Sequence, residues 1–541
     1  MAHIPLKGIW ATSLPGRLVN FVMDTWEQSV TGRLLARAGA ASGRVFAGSF
    51  AGRAWYSDWP EPLHLRESRT GQILAGLNNG FARLGHRIGP WLNDVWETSI
   101  LAGTGRRLAA TAQPFVGSSV LLQAYTGYAA DVVLAPDESG RRPTSPLVYL
   151  LGTLLGLLPV IPSTFSPSPT ILMILGVWGV ALLWLADRLM TGNFRWRGSA
   201  AFVPLGFLLM IATTATVQSI TPSISVLNLI MWFTAALLFV IIVDLVRSTR
   251  DAAALLGPVI VGGSLMGFWA IYQLIHPPVI DESWTDPTTS GTLVRVFASM
   301  GNPNYLAEYM ALYLPVGIAL WLQNQKRQIE LALPLGLMAL ALLVTWSRGG
   351  WLALIIALGV FVLLRFRRWA ILGVPAGLGL LVLAPASILQ RLASAFTLQD
   401  SSNLYRVNVW RGVSAMLGKF WVLGTGPGAE VFAKGYEEFM LPLARAAHAH
   451  NTYLQVFAEL GIFGIVAVLW TLLVLIRRTF TVGSSPRRPL LIAAVPAALF
   501  GILFHGMVEY IWYNPKLLFA FWAVAALGVG LALGDREDAK A

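Results

Sequence analysis

The chain has no cysteine. That excludes disulfides, cysteine nucleophiles and thiolate metal sites, and leaves the compartment open. Charge is scarce as well: Asp, Glu, Lys and Arg supply 12% of the 541 residues, against roughly 25% in a soluble domain. A chain that is 55% hydrophobic, with a mean hydropathy of +0.63, lacks the polar surface to solvate a fold of its size. This predicts an all-α polytopic membrane protein. Also missing are a Walker loop, a dinucleotide-binding glycine fingerprint and a DxD sugar-nucleotide pattern, which "DESWTDP" at 281–287 does not supply. The opening "MAHIPLKGIWATSLPGR" has too little apolar core for a secretory signal. Histidine is rare, with seven in the chain, so two of them in "AHAHN" at 447–451 ask for a reason.

The net charge of +12 suits either a nucleic acid or the anionic lipid beside cytoplasmic loops, and its distribution decides. Apolar stretches able to cross about 30 Å of hydrocarbon begin only after residue 145. They predict about twelve transmembrane helices, near 146–162, 170–187, 200–219, 225–246, 253–275, 303–322, 331–346, 350–364, 369–386, 453–476, 489–511 and 516–533. Alternate connections carry the positive charge. These hold Arg188, Arg195 and Arg197; Arg247 and Arg250; Lys326 and Arg327; Arg365, Arg367 and Arg368; and Arg477, Arg478, Arg487 and Arg488. The intervening "IPSTFSPSPT" and "SITPSIS" carry none. By the positive-inside rule both termini are cytoplasmic, and the long connections 276–302 and 387–452 are extracytoplasmic, together with "TWSRGGW" and "YIWYNPK". The charge therefore points to lipid, with no nucleic acid partner.

Residues 1–145 form a separate region with no span, followed by a membrane domain over 146–533 and a cytoplasmic tail over 534–541. The first region interleaves Arg and Gly with Trp, Phe and Leu, which predicts amphipathic helices on the cytoplasmic leaflet. "DTWEQS" at 24–29 recurs as "DVWETS" at 94–99, either a duplicated interfacial unit or a coincidence of biased composition.

Arg348 lies in "TWSRGGW" between two apolar segments. An arginine costs about 2.5–3.5 kcal/mol at the centre of a span and less near its end. It is either a snorkelling or capping residue, or an anion ligand whose two following glycines allow close backbone approach. In "NLYRVNVWRGVSAML", helical spacing puts Arg406 and Trp410 on one face, continued by Val413 and Leu417, while Arg411 points elsewhere. Trp410 reads as packing. Arg406 is either a solvated charge or a forked donor for phosphoryl oxygens. "GTGPGAEVF" at 424–432 is a turn or a nest of N–H groups before a helix. Asn451 or Thr452 suits the N-cap of the tenth span, which leaves His448 and His450 unexplained. They hydrogen-bond at the interface, or one accepts a proton from a substrate hydroxyl. As a metal site, His-x-His has only Glu430, Glu437 or Glu438 nearby to complete it, so neither a metal nor a cofactor is expected. Two arginines and a histidine on one face suit a diphosphate leaving group and an attacking hydroxyl.

Several ordered features carry a resemblance: "MGNPNYLAEYM" (300–310), "WSRGGWLAL" (346–354), "YRVNVWRG" followed by "LGTGPGAEVF" (405–432), "HAHNTYLQVFAELGIFG" (448–464) and "HGMVEYIWYNPK" (505–516). Through them residues 146–533 resemble the O-antigen ligase and polymerase superfamily of bacterial membrane glycosyltransferases. The resemblance implies about twelve spans in the bacterial inner membrane and a place in polysaccharide or lipopolysaccharide biosynthesis. It implies a donor glycan linked to undecaprenyl diphosphate and metal-independent, inverting transfer to a hydroxyl of a glycan, lipid or protein acceptor. Arg348, Arg406 and His450 match the two arginines and the histidine that the resemblance implies are essential; the arginines are expected to bind the donor diphosphate and His450 to be catalytic. His448, Asn302, Asn304 and Glu509 are secondary candidates. The reading favours a ligase, with a polymerase or a protein O-oligosaccharyltransferase sharing the motifs. A transporter of the same lipid also fits twelve spans, but the chain shows no repeated halves. Two features depart from the family pattern: typical ligases lack a region like 1–145, and Glu509 stands where Asp is common.

Overall fold

The structure is a computed structural model. Apart from isolated positions between 80 and 94, it describes residues 144–166, 168–191, 197, 199, 201–277, 294–324, 328–366, 401–483 and 488–540. The amphipathic region expected over 1–145 lies almost wholly outside the described residues. So do the expected span at 369–386, "DESWTDP", and Arg195, Lys326, Arg327, Arg367, Arg368 and Arg487.

The described chain from residue 146 onward is helical, with no strand among the described residues. The helices are α1 (Pro146–Leu157), α2 (Pro169–Thr191), α3 (Phe202–Val217), α4 (Pro222–Leu245), α5 (Thr249–Ile275), α6 (Pro303–Gln323) and α7 (Gln328–Val344). They continue as α8 (Arg348–Arg365), α9 (Ser401–Phe420), α10 (Ala429–Tyr436), α11 (Thr452–Gly483), α12 (Leu490–His505) and α13 (Pro515–Lys540). Their starts have local causes. Pro opens α1, α2, α4, α6 and α13, where the missing N–H would have no intrahelical partner anyway. Ser248 and Asp251 form a reciprocal capping box on α5, and the Ser347 side chain caps α8.

Seven helices (α2, α4, α5, α6, α8, α11 and α13) are long and apolar enough to cross a membrane, and α1, α3, α7 and α12 are shorter apolar helices. The chain is a multi-helix membrane protein. Every expected span that falls among the described residues overlaps one of these helices, most ends agreeing within about five positions, while the expected 489–511 overshoots the end of α12 at His505 and α11 and α13 run on to Gly483 and Lys540. α13 is the central one: its apolar window is 94% buried, against 28% for α2 and α8, so it is hydrophobic all round because protein surrounds it.

One end of the bundle holds Arg188, Arg197, Arg365 and Arg488, the described arginines of the arginine-rich connections that bridge helix ends. There Arg197 donates to the carbonyls of Val243 and Val246 at the end of α4, Arg188 pairs with the buried Asp244, and Arg365 donates to the Arg488 carbonyl. The opposite end carries the segments that build the site. Buried Lys516 donates to the carbonyls of Pro159 (3.0 Å), Ile161 (2.7 Å) and Ser299 (3.0 Å), so all three ammonium hydrogens are engaged. Gln273 Oε1 accepts from the N–H groups of Phe297 and Ala298 at 2.9 and 2.8 Å. Together they pin residues 294–302 across the helix ends. The connection expected as a long loop over 387–452 is substantially helical from 401. In α9 the buried Val409, Val413 and Met416 pack with Phe432 and Tyr436 of α10 and with Ala444, Ala446 and Ala449.

Candidate active site

Two local devices bring the site together. The first is a bend in α11 at Gly461, whose φ of 68° and ψ of −168° belong to a region essentially reserved for glycine. The bend interrupts the i to i−4 ladder, so backbone groups need other partners. The "GTGPG" turn supplies them: Thr425 N–H donates to the Ala458 carbonyl (2.9 Å) and Gly426 N–H to that of Glu459 (3.0 Å), while Ile462 N–H donates to the Trp421 carbonyl (2.8 Å). Of the two readings of this motif, the turn holds. Those N–H groups grip α11 and are not presented to an external anion.

The second device stitches the segment after α12 to the start of α11. Thr452 N–H donates to the Gly506 carbonyl (2.7 Å), its hydroxyl to the Glu509 carbonyl (2.8 Å), and the Asn451 amide to the Met507 carbonyl (2.9 Å). Asn451 also caps α11, its oxygen accepting from Leu454 N–H at 2.9 Å. This fixes His450 against Glu509 across 59 positions of sequence: His450 Nδ1 lies 2.9 Å from Glu509 Oε1. An ionised carboxylate only accepts, so Nδ1 donates, and in the neutral imidazole that leaves the lone pair on Nε2.

His450 itself is held in an unusual conformation, with φ at 47°, a left-handed geometry that non-glycine residues seldom adopt. Both peptide groups of the preceding residue are secured, Ala449 N–H by Gln455 (2.6 Å) and its carbonyl by the Trp410 indole (2.9 Å). Tyr405 packs edge-on against the imidazole, ring centres 5.6 Å apart.

Glu509 is the hub. Its carboxylate also accepts from the Asn304 amide (3.3 Å), from Arg406 (3.4 Å) and from the Tyr510 N–H (3.2 Å). Burial pushes its pKa up, but His450, Arg406 and His448 outweigh burial and hold it well below the ordinary carboxylate range. Asn304 extends the cluster, its oxygen accepting from Arg295 (3.1 Å) and from the Ser347 hydroxyl (3.0 Å). Arg348 is the next residue and opens α8.

His448 differs from its neighbour. Its side chain is 7% exposed against 21% for His450, which makes His450 the one a substrate can reach. His448 accepts the His450 N–H at Nδ1 (3.2 Å). Burial, aided by His450 and Arg406, lowers its pKa from the ordinary 6.5 to about 3. The sign is the reverse of a histidine that gains a partner: below about pH 6.5 the unfolded chain binds a proton that the folded chain refuses, so stability falls with pH. The detergent-solubilised protein is therefore expected to melt progressively lower as pH drops from about 7 towards 5, with a shallower dependence in His448→Asn. Parallel melting curves for the two proteins would refute this assignment.

Of the residues singled out in the sequence, Arg406, His448, His450, Asn304 and Glu509 meet in one cluster, with Arg348 adjoining it. Asn302 does not join; its side chain caps α6, accepting from Asn304 N–H at 2.8 Å. The glycines after Arg348 also correct an expectation. A Cβ at Gly349 would fall 2.2 Å from His505 Cε1 and one at Gly350 2.5 Å from Ala307 Cβ, so they admit neighbouring side chains, not a ligand. Arg295, Ser347 and Tyr405 were not singled out. For Arg295 the signal was present: like Arg348, it is an arginine on a connection where the positive-inside rule gives no reason for one.

His448, His450 and Glu509 place ligand atoms within 4.8 Å of one another, near enough to share one ion. Three features weigh against it: Glu509 already accepts from four donors, His448 Nδ1 from the backbone, and the Arg406 guanidinium stands 3.4 Å from Oε2. No curated protein matches the chain. Residues 333–469, which run from α7 through Arg348, Arg406 and His450 into α11, match the family model of O-antigen ligase, in support of the superfamily that the motifs resemble.

Proposed function

We propose that the protein transfers a glycan from undecaprenyl diphosphate to an acceptor hydroxyl, most like an O-antigen ligase. The observation that carries the reading is the Glu509-centred cluster, which unites a reachable imidazole with arginines in a mostly buried setting. His450 Nε2 takes the proton of the acceptor hydroxyl as that oxygen bonds to the anomeric carbon, and Glu509 steadies the imidazolium that forms. The bond from the anomeric carbon to the phosphate oxygen breaks in the same displacement, so the configuration inverts. Charge building on the departing diphosphate is neutralised by Arg348 and Arg406, help that a low-dielectric site strengthens. Diphosphate is a good leaving group and needs no general acid, and the reading invokes neither metal nor cofactor.

The site belongs on the extracytoplasmic face of the bacterial inner membrane. Support comes from Arg188, Arg197, Arg365 and Arg488 at the opposite end of the bundle, which the positive-inside rule assigns to the cytoplasm; both termini, the tail and residues 1–145 belong on that side, and twelve spans result if 369–386 crosses. Membrane lipids surround the domain.

Reconstitution with purified undecaprenyl-diphosphate glycan and separate glycan, lipid and protein acceptors tests the reading. A covalent product is expected, and the acceptor that yields it separates ligase, polymerase and protein O-glycosylation. Movement of the lipid without product would sink the transferase in favour of a transporter. Because the chain is free of cysteine, a single cysteine at position 450 reports its side cleanly. Labelling only from the cytoplasm would defeat the orientation.

A further inference from the structure

A second histidine and carboxylate pair lies directly beneath the first and takes no part in the chemistry above. His505 Nε2 is 3.0 Å from Glu308 Oε1, with side chains 4% and 0% exposed. Two contacts stand as rungs between α6 and the end of α12. Asn304 and Glu308 are one helical turn apart on α6, as His505 and Glu509 are on the turn that ends α12, where Glu509 N–H donates to the His505 carbonyl at 3.1 Å. The upper rung is Asn304 to Glu509 and the lower one Glu308 to His505. The lower rung has a third contact: the His505 ring lies against the backbone of Gly349, where a Cβ would come within 2.2 Å of Cε1 and 2.4 Å of Nδ1. Gly349 directly follows Arg348.

Stability alone does not call for such a pair. Well-packed apolar residues of similar volume are often as stable as, or more stable than, a buried ionisable pair, and groups of this kind within a membrane domain are costly. Here the cost is incomplete repayment as well, since Glu308 Oε2 and His505 Nδ1 are buried without a hydrogen-bond partner. What the pair gains over apolar packing is register, because a hydrogen bond fixes one alignment where apolar side chains slide.

Building on the transferase reading, we propose that the Glu308–His505 pair is a positioning device that holds the Glu509 turn and the first turn of α8 in one alignment, so that His450 and Arg348 address the same bound diphosphate glycan. Neither residue touches the reacting atoms.

The test compares three variants of the full chain in donor turnover, in melting temperature and in the rate at which diethyl pyrocarbonate modifies His450, read by peptide mass spectrometry. Glu308→Gln keeps an acceptor for His505 Nε2–H and is expected within a few-fold of wild type in turnover. The double variant Glu308→Val with His505→Leu nearly keeps the volume and removes both polar groups. It is expected to melt no lower than wild type, yet to lose about 10- to 100-fold in kcat, the scale of a misplaced catalytic group. Its His450 modification rate should move to that of Glu509→Gln. Gly349→Ala, which displaces the ring without removing a charge, should move that rate in the same direction and raise the donor KM. A double variant, or a folded Gly349→Ala protein, with wild-type His450 reactivity and turnover would overturn the proposal. Wild-type protein that forms no covalent product defeats the transferase reading instead, while the His450 modification rates still decide the positioning role.

Discussion

His450→Ala lowers transfer by about 100-fold or more, the usual scale of a lost proton acceptor, while donor binding stays near wild type. The split follows from the geometry. In the proposed mechanism His450 offers Nε2 to the acceptor hydroxyl, whereas the diphosphate is assigned to arginines that the substitution leaves in place. Glu509→Gln should lose a comparable factor with the imidazole still present, since an amide oxygen can still accept from Nδ1–H but does not balance the imidazolium charge. Turnover by His450→Ala at the wild-type rate, with folded protein in the membrane, would reduce the His450–Glu509 bond to a structural contact.

Arg406→Lys is expected to cost more than 10-fold in transfer although charge is conserved. A guanidinium presents a planar fork that serves Glu509 and a phosphoryl oxygen together, and an ammonium is a single point charge on a shorter reach. Arg348→Lys should behave alike. Arg411, on the exposed face of α9, is the matched control, and Arg411→Ala should stay within a few-fold of wild type. Measured donor KM and kcat for the set are the check: equal tolerance of lysine at 348, 406 and 411 would mean that these arginines serve only as positive potential.

Much of this architecture was legible in the sequence because hydrophobic length and helix-start chemistry are local. The prolines at 146, 222, 303 and 515 and the Ser347 cap mark helix starts without reference to the rest of the chain. Arg406 and Trp410 were also placed on one face by spacing alone, and both turn toward the segment that carries His450. The role of Glu509 was not legible to the same degree, since it depends on α11 and α12 returning the chain beside Asn451 and Thr452. Nor was the work of the "GTGPG" turn, whose partners are carbonyls released by a bend thirty-odd residues downstream. The Gly349 and Gly350 pair misled for a related reason: a glycine announces close approach without naming what approaches.

His450 stands just before α11 and Glu509 just after α12, so the two halves of the proton-accepting unit are separated by one helical hairpin. During synthesis the arginines and the histidine emerge first, and the imidazole acquires its carboxylate only once the chain has gone across and come back. A protein that stalls or is cut before residue 506 retains Arg348, Arg406 and His450 but not the residue that orients the base. On the proposed mechanism, competence would therefore wait until the hairpin formed by α11 and α12 is complete.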